Sequence, residues 1–449
     1  MTSFLKRLIP KFGQTAPEPA ASAQSAPAPA AVVKPPVPPR PQPVVARRPL
    51  VSANGDVAGF EFRIDDAVQR SLSASGDAAA QTAQVAAVLV AARLVAMQGR
   101  TGFARLPAAW LAQAVVPKDD AGVVVGVEAD AAQPLAPEAQ QALRDTVAAF
   151  RTAGARLAWS SSLDMGVAPD FWLLRPGAAG VDALLEQLKT QAGAAAKLPA
   201  IVTDLAQVEH MELVLHGGAQ FASGAMGSAA RVAKPKAQAL APEVGRLSQL
   251  LSQLSAGADT PVIVAAIKGD VSLTYRLLQR MNSASFAHLG GISSVDQAVQ
   301  MLGRNDLHRW LSLMLMQFAG SRKMASALQE IALCRSRLVE LLAIERGESE
   351  PGRFFTLGLA SMLGLILKIS PEEVVATLSL PPEAEQALLG QAGPWHVYLH
   401  TAAQVENQTA SDASVAADGF SSLERVLELS SQAWAWAEAN AVKDGAKPA

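Results

Sequence analysis

The sequence is poor in cysteine, aromatic residues and charge. Of its 449 residues, one is cysteine, 5% are aromatic and 17% are charged. The single cysteine, Cys334, excludes an intramolecular disulfide and a cysteine-rich zinc site. Because Cys334 lies in an apolar helical stretch, we expect a buried, inert thiol.

Long apolar runs are also missing. No segment approaches the roughly 18–20 apolar residues that a membrane span needs. The opening MTSFLKRLIPKFG is basic, but it has no long apolar stretch and no small-residue cleavage site of a secretory signal. These absences predict a soluble protein of the cytoplasm, without stable insertion into a membrane.

The charge is unevenly distributed along the chain. The net charge is −2, but residues 1–48 carry seven Lys or Arg and one acid, which leaves the remainder at −8. A mildly acidic body argues against nucleic acid as a partner of the folded domains.

The first 48 residues divide into two segments. In residues 1–14, apolar and basic side chains share a possible short helix, which leaves two interpretations open: a docking or membrane-surface peptide, or a frayed end. Residues 15–48 are rich in Pro and Ala, which favour extended backbone without a core, and we predict a disordered linker.

Residues 49–230 alternate strand-like and helix-like segments. The first two strands read as a hairpin, with Asn54 and Gly55 supplying positive φ angles in its turn. Further strand candidates, in chain order, are TGFARLP, GVVVGVEA, ARLAWSS, FWLLRPG, PAIVTDL and AQFASGA. This alternation predicts a parallel α/β barrel. About 180 residues is short for eight strand–helix units, so we expect a reduced or distorted, TIM-like barrel.

Residues 231–240 read as a hinge, residues 241–440 as an all-helical bundle and residues 441–449 as a tail. Leucines at spacings of three and four give the first helices one apolar face each. Ser294 is expected to cap the helix that Gly303 ends.

The stretch from 270 to 316 closely resembles the core signature of HDOD domains, and the resemblance covers about residues 240–410. The residues that carry it, and that we assign to a structural or partner-binding role, are Asp270, Asn282, Ser283, Phe286, Ser294, Gly303 and Trp310. The resemblance implies a helical output domain of bacterial signal transduction.

In bacteria an HDOD domain often follows an EAL domain, a barrel that hydrolyses cyclic di-GMP, and the first half resembles a degenerate copy of one. GDVAGFEFRI is similar to the family's opening strand, and Glu61 falls at its signature glutamate. Asp204 is the second remnant, and it stands where the family has a glutamate.

Elsewhere the match with the EAL family fails wherever its chemistry requires a particular residue. FARLP contains no Asn where the family has an Asn ligand, and Gly126 replaces a ligand glutamate, with Glu128 close by. The remaining departures are Trp159, Ser160 and Ser161 for the paired aspartates, Leu173 for a lysine, Gln207 for a glutamate and Ser223-Gly224 for Gln-Gly.

These departures predict a chain with no metal, no cofactor and no catalytic residue. Metal-activated hydrolysis of a phosphodiester needs clustered anionic oxygen ligands. None of the six histidines is followed by Asp, as an HD-type phosphohydrolase would require. His396 and His400 have zinc-like spacing, but no third ligand lies near them in the sequence.

The resulting hypothesis is a non-catalytic regulatory protein whose partners are other signalling proteins. The alternative is a receptor that binds cyclic di-GMP without hydrolysis, with Arg63, Arg105 and Arg175 as contacts. The pair Trp434 and Trp436 lies near the end of the last helix and is compatible with docking inside the chain or onto a partner.

Overall fold

A computed structural model describes residues 45–116, 119–129, 135–160, 163, 165–192, 198–225, 242–281, 294–316, 323–378 and 380–440. The predicted N-terminal peptide 1–14, almost all of the linker, the hinge 231–240 and the tail 441–449 lie outside these residues. The residues from Pro43 onward belong to one compact unit.

The N-terminal part is a closed barrel of eight strands that neighbour one another in chain order. The strands are β1 (Arg48–Ser52), β2 (Val57–Arg63), β3 (Thr101–Pro107), β4 (Val123–Glu128), β5 (Arg156–Trp159), β6 (Phe171–Leu174), β7 (Ala200–Leu205) and β8 (Phe221–Gly224). Strand β1 runs antiparallel to β2 and β8, and all other pairs are parallel. The predicted barrel is therefore confirmed, and each of the eight strand candidates forms one of its strands.

Six helices lie between the strands of the barrel in the described residues. They are α1 (Asp66–Ser75), α2 (Ala78–Met97), α3 (Ala108–Leu111), α4 (Pro137–Thr152), α5 (Gly180–Ala192) and α6 (Val208–His216). A tight turn joins β1 to β2, and the residues described between β5 and β6 contain no helix. Eight strands fit into about 180 residues because these two connections are short.

The β1–β2 turn differs in detail from the expectation. Gly55 has a φ of +90°, whereas Asn54 is not among the residues with positive φ. A β-carbon at Gly55 would lie 1.7 Å from the Lys323 carbonyl oxygen, and the Gly55 carbonyl accepts a hydrogen bond from Ala327 N at 3.0 Å. Glycine is thus required by the turn and by the close approach of the helical region.

The prediction that no segment has the length and composition of a membrane span is wrong for helix α2. By length and composition alone, this apolar helix of 20 residues could cross a membrane. In this fold, however, α2 packs against β2 and β3 and buries a stripe that includes Val85, Val88, Leu89 and Ala92. Its apolar character is that of a helix that covers a barrel.

The C-terminal part is helical throughout its described residues. The helices are α7 (Pro242–Ser255), α8 (Thr260–Lys268), α9 (Val271–Met281), α10 (Val295–Met316), α11 (Ala325–Glu345), α12 (Pro351–Leu367), α13 (Pro371–Leu378), α14 (Pro382–Leu388), α15 (His396–Glu406), α16 (Asp412–Ala417) and α17 (Leu423–Asn440). The all-helical prediction is confirmed, although α8 and α16 were not predicted individually. Gly303 breaks α10 with a non-helical φ of 70° and ψ of 169°.

Helices α11 and α17 pack on each other, and both reach the outer face of the β1–β2 hairpin. The ring of Trp434 meets Phe60 edge-on with 4.7 Å between centroids. Arg100 reaches from the barrel to Glu330 at 2.7 Å and to Glu438 at 3.0 Å. The helical region therefore covers the side of the barrel where the hairpin leaves no helix of its own, and Trp434 docks inside the chain.

Candidate functional site

The barrel interior has an apolar layer and a polar layer. Inward-facing side chains alternate along each strand. The apolar layer consists of Leu50, Phe103, Val124, Ala158, Phe171, Leu173, Ile201 and Phe221. The polar layer lies at the carboxyl ends of the parallel strands and beside the start of β1; we call it the barrel mouth, and its residues are Arg48, Glu61, Arg105, Glu128, Arg175, Thr203, Asp204 and Ser223.

Arg105 on β3 lies at the centre of the barrel mouth and is 2% exposed. Its Nη1 atom is 2.7 Å from Asp204 Oδ2 and 3.2 Å from Glu61 Oε1, and its Nε atom is 3.5 Å from Glu128 Oε1. Nη1 also donates a hydrogen bond to Thr203 Oγ1 at 2.8 Å. One guanidinium thus holds together three carboxylates from three different strands.

Glu61 and Asp204, the two predicted remnants, are brought together by this arginine. Glu61 is fully buried, and its Oε2 atom accepts a hydrogen bond from Ser223 Oγ at 2.5 Å. Arg48 Nη1 lies 3.9 Å from Glu61 Oε2 and 3.3 Å from Asp204 Oδ1. Arg48 was predicted to be the last residue of the linker, but it is the first residue of β1. It reaches the barrel mouth because β1 runs antiparallel to its neighbours and begins at their carboxyl ends.

The electrostatics at Asp204 favour the charged carboxylate. Burial acts to raise the pKa of Asp204, but the ion pair and hydrogen bond with Arg105, assisted by Arg48 and Arg63, bring that pKa below its usual value. Burial also opposes the charge on Arg105, yet the surrounding carboxylates raise the pKa of its guanidinium further above its already high value. The Asp204–Arg105 pair is therefore ionised at neutral pH.

Glu128 lies beside this pair. Burial raises the pKa of Glu128, although Arg105 and Arg175 act against that rise. Arg175 Nη1 is 2.9 Å from Glu128 Oε1. The arginines proposed as contacts for a nucleotide are thus engaged with the protein itself: Arg105 and Arg175 at the mouth, and Arg63 with Asp66 at 2.8 Å.

Gly126, the position that we aligned with a ligand glutamate of the EAL family, cannot accept a side chain unless its neighbours move. A β-carbon at Gly126 would lie 2.7 Å from Phe103 Cε2, so the ring fills the space that a glutamate side chain would need. Trp159 is buried outside the barrel wall, and Leu173 belongs to the apolar layer. Gln207 precedes α6 without a side-chain capping bond, and Ser161 lies outside the described residues.

The side chains of the barrel mouth do not fit a divalent cation. Hard cations need several anionic oxygens free to converge on one point. Here a guanidinium that cannot lose its proton occupies that point, and it neutralises the acids around it. Within the described parts of the chain, no group of three or more His, Cys, Asp or Glu side chains is arranged to hold a metal.

The HDOD signature residues that the structure describes have structural contacts. Asp270 accepts a hydrogen bond from Leu273 N at 3.0 Å, and Ser294 Oγ accepts one from Gln297 N at 3.2 Å, so both cap helices. Trp310 is 2% exposed in the core. Asn282, Ser283 and Phe286 lie outside the described residues.

His396 and His400 lie next to each other on α15, whereas His308 lies on α10. His396 and His400 stack with 5.7 Å between ring centroids, and His400 Nδ1 lies 2.8 Å from Asp418 Oδ2. His308 is mostly buried beside Arg309; burial, and then the charge of Arg309, lower its pKa to about 4. His308 is therefore neutral at pH 7.

A cleft of about 400 Å³ lies between α7, α10 and the start of α12, with His308 in its lining. Its arginines are already bound: Arg304 donates to the carbonyls of Leu254 and Ala258 at 2.9 and 2.6 Å. The remaining two arginines pair with acids: Arg309 with Asp306 and Glu340, and Arg353 with Glu350. The cleft walls therefore stabilise the helix junction.

Comparison with known proteins matches residues 241–391 to the HDOD domain family. The chain is 33% identical over 144 residues to the uncharacterised protein YuxH of Bacillus subtilis (strain 168), which covers 31% of this chain and 35% of YuxH. It is 30% identical over 126 residues to the cyclic di-GMP phosphodiesterase CdgJ of Vibrio cholerae serotype O1, which covers 28% of this chain and 29% of CdgJ. The chain thus spans about a third of the length of these curated relatives.

Two solved structures are also similar. One is a protein of Marinobacter aquaeolei VT8 assigned provisionally to signal transduction, with 15% identity, a TM-score of 0.34, and coverage of 57% of this chain and 82% of that one. The other is an HDOD domain protein of unknown function from Geobacter sulfurreducens, with 17% identity, a TM-score of 0.26, and coverage of 47% and 76%.

The helical region therefore contains an HDOD domain, which confirms the resemblance read from the sequence. The chain joins this domain to a closed eight-stranded barrel.

Proposed function

We propose that this chain is a non-catalytic, cytoplasmic regulatory protein of bacterial signal transduction. It acts by binding other signalling proteins through its HDOD domain, and its barrel is an EAL-type barrel that does not hydrolyse cyclic di-GMP. The observation that carries the proposal is Arg105, whose guanidinium takes the place among three carboxylates that a divalent cation would need.

Two further contacts support an inactive barrel. The ring of Phe103 fills the space next to Gly126, so the mouth has no room for an additional carboxylate there. Glu61 is fully buried and bound to Ser223 and Arg105, so it is engaged rather than free to bind substrate or metal. Phosphodiester hydrolysis needs a metal-activated water or an equivalent nucleophile, and this donor set offers no position to generate one.

The test is turnover of cyclic di-GMP by the purified full chain with Mg²⁺ or Mn²⁺, followed by chromatography of the nucleotides. A cyclic di-GMP phosphodiesterase serves as the positive control, and Glu61→Gln is the matched variant. We expect no product above the no-enzyme blank. Metal-dependent product that disappears in Glu61→Gln would overturn the proposal.

Titration calorimetry with cyclic di-GMP at tens of micromolar separates the alternative, a receptor without turnover. The proposal expects no binding heat, since Arg63, Arg105 and Arg175 already have carboxylate partners. Saturable binding without product would replace the proposal with the receptor function.

A further inference from the structure

The turn after α15 inserts a glutamine side chain into the edge of the barrel. Gln408 is 5% exposed and has a φ of +57°, a strained value for a residue other than glycine. Its Nε2 atom donates to the carbonyls of Ala46 at 3.0 Å and Glu61 at 3.2 Å. Its Oε1 atom accepts a hydrogen bond from Arg63 Nε at 3.0 Å. The strain is sustained because these bonds fix the turn onto β2.

The residue before it contacts the barrel mouth. The carbonyl of Asn407 accepts a hydrogen bond from Arg48 Nη2 at 3.0 Å, while Nη1 of the same guanidinium reaches Asp204 Oδ1 at 3.3 Å. Arg48 is 6% exposed, so this bridge lies in a poorly screened environment. One arginine thus connects a mouth carboxylate to the C-terminal end of α15, where a helix favours positive charge.

Glu406, the residue before Asn407, contacts the helices of the HDOD domain. Glu406 forms a two-point ion pair with Arg335 of α11, whose side chain is also nearly buried. The segment Glu406–Gln408 therefore has buried polar contacts on both sides, to the mouth through Arg48 and to the helical core through Arg335.

We propose that the segment Glu406–Gln408 couples the barrel mouth to the helical region, so that loss of negative charge at Asp204 loosens the end of α15. The charge of Asp204 holds Arg48 in place, and Arg48 in turn holds the Asn407 carbonyl. Such coupling is reciprocal by thermodynamic necessity. The inference goes beyond the proposed signalling role by naming the route between the two regions.

The experiment is amide hydrogen exchange on the full chain, wild type against Asp204→Asn. Asparagine keeps the side-chain shape and tolerates the φ of 57° at this position. The change removes the negative charge and replaces one of the two oxygens that accept from Arg48 and Arg105 by a donating NH2 group. The amides to follow are those of Asn407, Gln408 and Thr409, which bond to the last turn of α15. We expect about tenfold faster exchange there, which corresponds to the loss of one hydrogen bond to a charged group.

Asp170→Asn is the matched control. Asp170 is a barrel aspartate of nearly equal side-chain exposure, 32% against 33%, and it also pairs with an arginine, Arg151. Its partners, Arg151 and the Leu157 amide, belong to the barrel. The proposal expects wild-type exchange at residues 407–409 in this variant.

The coupling is refuted if Asp204→Asn alters only barrel amides, or if Asp170→Asn accelerates residues 407–409 equally. If Asp204→Asn does not fold, Gln408→Ala tests the same coupling in reverse, with faster exchange expected at the β7 amides, and unchanged β7 exchange would refute it. No nucleotide enters this experiment, so its failure is distinct from the detection of turnover, which would overturn only the proposed function.

Discussion

Replacement of Arg105 by methionine tests whether the barrel mouth is built around this one cation. The change keeps most of the side-chain length and removes the charge from a site that is 2% exposed. Removal of one partner from a buried ion pair costs about 3–5 kcal/mol, because the other charges stay buried without compensation. At pH 7.5 we therefore expect a loss of about 3–5 kcal/mol in the free energy of unfolding, out of a total of roughly 5–15 kcal/mol for a typical domain.

The pH dependence gives the sign of the effect. In the wild type the pKa of Asp204 is lowered, so its stabilising contribution is present above the unfolded-state pKa and is lost only as pH falls through the lower folded-state pKa. In Arg105→Met the buried carboxylates lack their cation, and the folded state takes up protons before the unfolded state does. The free energy of unfolding of the variant should therefore rise as pH falls from 7.5 to 5.5. Over the same range, the contribution of the Asp204–Arg105 pair in the wild type does not change.

Urea denaturation at both pH values, followed by circular dichroism, measures these changes. Arg105→Lys keeps the charge but not the planar fork, and should lose less stability with little pH dependence. Arg151→Met removes an arginine that is 39% exposed and paired with Asp170, and should stay within about 0.5 kcal/mol of the wild type. The account of the mouth is wrong if Arg105→Met lies within about 1 kcal/mol of wild type at pH 7.5, or if its deficit does not shrink at pH 5.5.

Three further changes give distinct expectations. Trp434→Ala should cost about 3–5 kcal/mol in urea denaturation, since it removes the ring on Phe60 and leaves a cavity between barrel and helices; a loss below about 1 kcal/mol would contradict that packing. Gly126→Ala should cost about 1–3 kcal/mol because its methyl group collides with the ring of Phe103, and a neutral effect would show that the ring moves freely. Between pH 6.5 and 4, His308→Gln should lose less unfolding free energy than the wild type, by up to about 3 kcal/mol. The reason is that a histidine with a pKa near 4 stays neutral in the folded state but takes up a proton in the unfolded state. Parallel pH profiles of variant and wild type would contradict this.

The pattern of strands and helices was readable from local sequence. The segments TGFARLP and GVVVGVEA were predicted as strands from their short apolar runs, and they form β3 and β4. All eight strands were among the predicted segments, but the total length did not reveal which connections between them carry helices. The β1–β2 hairpin and the β5–β6 connection, whose described residues contain no helix, take fewer residues than two connections with helices would.

Glu61 and Asp204, which the structure brings together, were singled out in the sequence, but the position of Arg105 between them was not predicted. Sequence alignment marks missing ligands, yet it does not show that an arginine two residues beyond Phe103 points to the same centre. That placement needs the register of β2, β3 and β7 around a closed barrel.

The sequence by itself determined most of the strands and helices and the HDOD signature, because propensities, periodicities and residue types are local properties. Only the tertiary structure decided that three acids share one guanidinium, that Trp434 docks on Phe60, and that Gln408 joins the barrel. These contacts connect residues far apart in the chain, and their energies depend on burial and distance, which arise only when the barrel closes and the helices pack against it.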